Sequence, residues 1–126
     1  MNVITSLRAL LGLGDAEAGT DHWWGQRLSG VALVVLGLWF VASLIVLPSL
    51  EYNVMVEFIG RPLNRALLSL AVVTATYHSH LGVQVVIEDY IPVAGLHKAS
   101  LIASRIAHVV VAAAAVVAIY AVGAGA

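Results

Sequence analysis

Three long apolar runs, separated by two more polar connections, organise this chain. The first extends from about Leu28 to Leu47 and stops at Pro48. The second covers about Leu63 to Ile87, and the third about Ala99 to Val122. None alternates with the period of a strand, and each is nearly continuously apolar, as a helix facing lipid over much of its surface is. A helix needs about 20 residues to cross the hydrocarbon core, and each run is long enough. Lipid offers no hydrogen bonds, so a span must be a helix or part of a closed barrel. Three segments do not close a barrel. The pattern predicts an all-α membrane protein with three transmembrane helices in one domain over residues 1–126. Spans are expected at about 28–47, 63–87 and 99–122, with residues 1–27 as an N-terminal surface segment.

The connections are "PSLEYNVMVEFIGRP" (Pro48 to Pro62) and "EDYIPVAGLHK" (Glu88 to Lys98). Arg8, Arg27 and Lys98 fall on the side shared by the N-terminus and the second connection, with Arg105 close behind. Arg61 and Arg65 fall on the other side. This distribution places the N-terminus in the cytoplasm by the positive-inside bias. "HWW" (His22 to Trp24) reads as an interfacial aromatic anchor. The apolar patch from Ala9 to Leu13 is shorter than the roughly 7–15 residues of a signal-peptide core, so no cleaved leader is expected.

Composition agrees with the pattern: 61% of the residues are hydrophobic and 10% charged, with mean hydropathy +0.98. A soluble domain has about 25% charged residues. The net charge of −1 and the lack of a basic run leave no footprint for nucleic acid. Without cysteine, the chain holds no disulfide, thiolate metal site or cysteine-ligated iron–sulfur cluster of its own.

The polar residues within the spans carry the candidate chemistry, because such residues are costly in lipid and face a partner, a cavity or a ligand. The second span contains "HSHLGVQVVIEDY" (His78 to Tyr90). His78 and His80 lie about 200° apart on a helix and cannot address the same object. Each either bonds a neighbouring helix or, as a neutral imidazole, ligates a haem iron. Gly82 lies on the His78 face and leaves room for a macrocycle or for a close helix. Asp89 follows His78 by almost three turns, at about 100° per residue, and shares its face if the helix continues so far. Asp89 and Tyr90 would then sit near the headgroups above a deeper His78, as a helix-end acid and belt tyrosine or as an interfacial site. Arg27, at the entry of the first span, either snorkels or pairs with an anionic group such as a propionate or phosphate. Arg105 and His108 share a face of the third span and point into the bundle. His97 and Lys98 read as a solvated loop.

The pattern H-x-x-x-G-x-(x)5-D-Y in "HSHLGVQVVIEDY" resembles the small D-type membrane-anchor subunit of succinate dehydrogenase, respiratory Complex II, in its alphaproteobacterial and mitochondrial form. "HWWGQRLSGVAL" is similar to that family's first-span entry, and the likeness extends from about residue 20 onward. The resemblance implies that His78 is an axial ligand of haem b, the second ligand coming from a companion C-type anchor. It implies that Tyr90 hydrogen-bonds a ubiquinone carbonyl, that Asp89 supports that site, and that Arg27 lies near the haem propionates or the quinone. FAD and iron–sulfur clusters would belong to the flavoprotein and iron–sulfur subunits, and succinate chemistry would occur there, not in this chain. The resemblance also implies the bacterial inner (cytoplasmic) membrane in preference to the mitochondrial one.

Three other classes compete with a succinate:ubiquinone oxidoreductase anchor. A quinol:fumarate reductase anchor runs similar chemistry backwards. A cofactor-free structural subunit would tolerate replacement of its histidines. A small transporter would use Arg105 and His108 as a polar pathway, but no span carries an internal proline and no inverted repeat is visible.

Overall fold

The computed structural model describes Val3 and residues 18–125. Four helices follow one another among these: α1 (Ala18–Val46), α2 (Tyr52–Gly60), α3 (Pro62–Tyr90) and α4 (Ala94–Gly123). Stretches of three of them, Thr20–Val46, Pro62–Tyr90 and Ala94–Gly123, are long and apolar enough to cross a membrane. This is the expected all-α, three-span architecture. The patch Ala9–Leu13 and Arg8 lie outside the described residues. Residues 18–27, read from sequence as part of a surface segment, are already helical.

Each helix outruns the apolar run that announces it. Helices α1 and α3 have 29 residues each and α4 has 30, whereas about 20 suffice to cross the hydrocarbon core. The surplus turns carry the polar residues, so Arg27 lies well inside α1 and not at its start. His97 and Lys98, expected in a loop, belong to the first turns of α4 instead. There the His97 backbone N–H donates to the Val93 carbonyl at 2.8 Å, and its Nδ1 lies 3.1 Å from the Ile91 carbonyl oxygen. Two carbonyls that precede the helix thus gain donors.

The short helix α2 lies inside the connection read as Pro48 to Pro62. It ends because Pro62 forces extended backbone on Arg61 (φ −67°, ψ 128°), and Pro62 then opens α3 at a position where proline loses no hydrogen bond. The freed carbonyls at the end of α2 are covered by α3 side chains. Asn64 donates to the Phe58 carbonyl at 2.9 Å, and Arg65 donates to the Gly60 carbonyl at 2.7 Å. Arg65 also donates to the Gly123 carbonyl at 3.1 Å and lies over the Tyr120 ring, so one cation ties the ends of α2 and α4 to the start of α3. The buried Phe58 stacks on Trp39 of α1, with ring centroids 6.3 Å apart.

Helix α3 is central, packed against α1 on one side and α4 on the other. Among the described residues the buried apolar side chains are few: Leu36, Phe58, Leu81 and Ile87. Most large apolar side chains point outward, among them Val34, Leu38, Ile45, Ile106 and Val117. Such a surface suits lipid and partner helices, not water.

Candidate functional site

The seam between α1 and α3 is built from small residues. Gly25, Gln26, Ser29 and Gly30 recur at the spacing of one helical face and bring the backbone of α1 close to α3. A Cβ at Gly25 would lie 2.7 Å from the Tyr77 hydroxyl and 3.3 Å from Leu81 Cδ1. A Cβ at Gly30 would lie 3.4 Å from His78 Cε1. Gly25 thus lets Tyr77 and Leu81 approach α1, and Gly30 seats the His78 ring in the same seam.

Both ring nitrogens of His78 meet α1. Nδ1 lies 2.9 Å from Ser29 Oγ, and Nε2 lies 3.3 Å from the Gln26 side-chain nitrogen. Helix α3 continues to Tyr90, so Asp89 shares the His78 face by helical periodicity. Asp89 and Tyr90 are both exposed, Tyr90 at 79%. Twelve residues separate His78 from Tyr90, about 18 Å along the axis at 1.5 Å per residue. Arg27 directly follows Gln26 and is therefore within a turn of His78 in depth, but its side chain is exposed and its guanidinium lies 4.9 Å from the centroid of the Trp23 ring. The fold thus gathers His78 and Arg27 at one level and sets Asp89 and Tyr90 apart, at the end of the span.

His80 looks the other way. Its ring meets His108 of α4 edge-on, with centroids 5.4 Å apart, and its Nδ1 is buried without a hydrogen-bond partner. His108 has both nitrogens engaged: Nδ1 donates to the Ser104 carbonyl at 2.7 Å, which leaves Nε2 to accept from the Ser79 hydroxyl at 3.1 Å. A cavity of about 300 Å³ opens beside His108, lined by Ala75, Thr76, Ser79, Ala107, His108 and Val111. Among the described residues no group of three or more His, Cys, Asp or Glu side chains is arranged to hold a metal ion.

The donor set fits one half of a haem site and no more. A haem iron takes a neutral imidazole nitrogen, and His78 Nε2, on a ring packed beside Gly30, would supply one once the Gln26 amide 3.3 Å away turned aside. His80 is a poorer fit, because the His108 ring fills the space in front of it. Sequence reasoning did not single out Ser29 and Gln26, which hold His78. Their signal was present in "GQRLSG", where small and polar residues recur at i, i+4 on one face of the first span.

Known proteins resemble this chain over most of its length. Residues 1–121 match the family described as succinate dehydrogenase/fumarate reductase transmembrane subunit. The succinate dehydrogenase hydrophobic membrane anchor subunit of Paracoccus denitrificans is 36% identical over 126 residues, covering 100% of this chain and 97% of the relative. The subunit of the same name from Rickettsia bellii (strain RML369-C) is 35% identical over 107 residues, covering 85% and 86%. That of Rickettsia conorii (strain ATCC VR-613 / Malish 7) is 32% identical over 108 residues. The likeness carried by "HSHLGVQVVIEDY" and "HWWGQRLSGVAL" thus extends over the length of these relatives, and the chain belongs to the succinate dehydrogenase/fumarate reductase transmembrane subunit family.

Proposed function

We propose that this chain anchors a succinate:ubiquinone oxidoreductase in the bacterial inner membrane, ligates haem b through His78, and lends Tyr90 and Asp89 to ubiquinone reduction. The observation that carries the haem reading is His78 itself: a histidine at membrane depth, its ring seated against Gly30 of α1. One ligand from this chain requires a second from a companion C-type anchor. The outward-facing apolar surface of the three spans is suited to such a partner. Flavoprotein and iron–sulfur subunits complete the complex and hold FAD and the clusters. The relatives favour the succinate direction, since those compared bear the succinate dehydrogenase name.

Haem b, when bound, supplies a one-electron store whose potential follows from its axial ligands and burial. Arg27, a cation within a turn of His78 in depth, is placed to pair with a haem propionate more readily than with a group near Tyr90. Tyr90 serves the quinone. Its phenol O–H donates to a quinone carbonyl oxygen as negative charge builds there, so the bond strengthens as reduction proceeds. Asp89, exposed beside it at the same helix end, orients that donor and receives protons from the adjoining water. Ubiquinone takes two electrons and two protons, and an interfacial position keeps the proton supply short.

A second reading, a cofactor-free anchor, is favoured by the contact of Gln26 with His78 Nε2, since that bond satisfies the imidazole by helix packing alone. The two readings separate in a reduced-minus-oxidised absorption spectrum of the purified complex beside its His78→Ala variant. The haem reading expects a b-type signal that is lost in the variant. No haem in either sample, with succinate–quinone activity intact, leaves the anchor and quinone roles and removes the haem.

A further inference from the structure

Ser29 is 6% exposed, the most deeply buried polar residue described, and it has one proton to give. Its Oγ lies 2.6 Å from the Gly25 carbonyl oxygen, one turn back on α1, and 3.1 Å from the Gln26 carbonyl oxygen. The short contact takes the hydroxyl proton. What remains toward His78 Nδ1, at 2.9 Å, is an oxygen lone pair, so Nδ1 must carry the hydrogen. The other side of the ring is compatible with this tautomer: with the Gln26 amide nitrogen 3.3 Å from His78 Nε2, that nitrogen is the unprotonated acceptor. Both neighbours on α1 thus fit one tautomer.

We propose that Ser29 is a positioning residue for His78. It anchors the Nδ1–H to the backbone of α1 and leaves Nε2 as the lone-pair nitrogen, which would meet the haem iron once the Gln26 amide that contacts it here turned aside. The proposal rests on the reading of His78 as the axial ligand. A ligating histidine with an acceptor on its second nitrogen is held in orientation and made more basic. The acceptor here is neutral, but its own proton is drawn to the Gly25 carbonyl, which polarises the hydroxyl toward Nδ1. A more basic ligand favours ferric over ferrous iron, so loss of the Ser29 hydroxyl should move the haem midpoint potential upward. Ala at this position is smaller than Ser and has no new volume to accommodate. Thr keeps the hydroxyl and readily makes the same back-bond to a carbonyl one turn earlier.

The test is a potentiometric titration of the haem absorption band in the intact complex carrying Ser29→Ala, Ser29→Thr or His78→Ala, with the ferric electron paramagnetic resonance spectrum as a second readout. The expected result is near-normal haem content in Ser29→Ala with a raised midpoint potential and altered ferric g-values, both restored in Ser29→Thr. Loss of haem from Ser29→Ala that Ser29→Thr reverses also supports the role. An unaltered potential and spectrum in Ser29→Ala, with haem lost from His78→Ala, overturns the role of Ser29 and leaves the ligand in place. A defect in Ser29→Ala that Ser29→Thr does not repair overturns it too. Haem retained in His78→Ala removes the ligand reading and the positioning role with it.

Discussion

His78 and His80 are separated by one serine, yet they belong to different seams of the bundle. His78 enters the α1–α3 seam, where Gly25 and Gly30 have cleared space and Ser29 and Gln26 hold the ring from one side. His80 enters the α3–α4 seam, where the His108 ring meets it edge-on and its Nδ1 is buried without a hydrogen-bond partner. The residue type is the same and the depth differs by about 3 Å, two residues of helix rise. What differs is the neighbour's backbone. Glycine on the facing helix lets the His78 ring seat against the α1 backbone, whereas on the other side a second imidazole stands against His80. A histidine in a membrane span is therefore read from what stands opposite it more than from its own position.

The sharpest way to break this comparison is to remove each imidazole in turn. Expected outcomes are all-or-none: His78→Ala abolishes the b-type haem signal of the purified complex, and His80→Ala retains it at normal stoichiometry. The reverse pattern, in which His80→Ala loses the signal and His78→Ala keeps it, would assign the iron to the α3–α4 seam and refute the argument from the glycine-lined seam.

A smaller effect is expected from filling the α1–α3 seam. Gly25→Val places a branched side chain where even a Cβ lies 2.7 Å from the Tyr77 hydroxyl and 3.3 Å from Leu81. The Tyr77 tip can move, but Leu81 is buried, and overpacking of this kind costs about 1–3 kcal/mol. Thermal stability of the assembled complex should fall, and haem occupancy with it. Gly37→Ala supplies the control on the same helix, because nothing stands within 4 Å of its added Cβ. Equal losses from the two substitutions would mean that α1 is sensitive to glycine replacement in general and not to closure of this seam.

How much of this was legible in the sequence differs between the two seams in the same physical way. The three spans follow from hydropathy and length, and the opposed directions of His78 and His80 follow from 100° per residue. The identity of the facing groups does not, because it depends on which helices pack together and in what register. "GQRLSG" announced a small-residue face on α1 but not that the face meets His78. Helix α2 was hidden for a related reason: with 9 residues between Pro48 and Pro62 it is too short to announce itself by periodicity, and its anchor, Phe58 on Trp39, is a contact across the sequence. The ends of α1 and α4 were read short because polar residues such as Asp21 and His97 end an apolar run without ending a helix. Asp89 and Tyr90 stand exposed at the end of α3, where the partners that would enclose a quinone belong to other chains.

The subtlest test concerns the α3–α4 seam alone. Ser79 donates to His108 Nε2 at 3.1 Å, while His108 Nδ1 is bound to the Ser104 carbonyl within its own helix. Among the described residues the Ser79 bond is thus the one interhelical hydrogen bond of His108, and the backbone bond only holds the ring in place to receive it. Interhelical side-chain hydrogen bonds in membrane proteins average about 0.6 kcal/mol, because the separated helices find other partners. A double-mutant cycle of Ser79→Ala and His108→Ala, read as resistance of the purified complex to SDS denaturation, should give a coupling of about that size. Haem content should be unchanged in all three variants. A coupling near zero would mean that the ring and Ser79 are neighbours by packing only. A haem loss in any of them would show that the two seams are not independent, and that the contrast between His78 and His80 is one of degree.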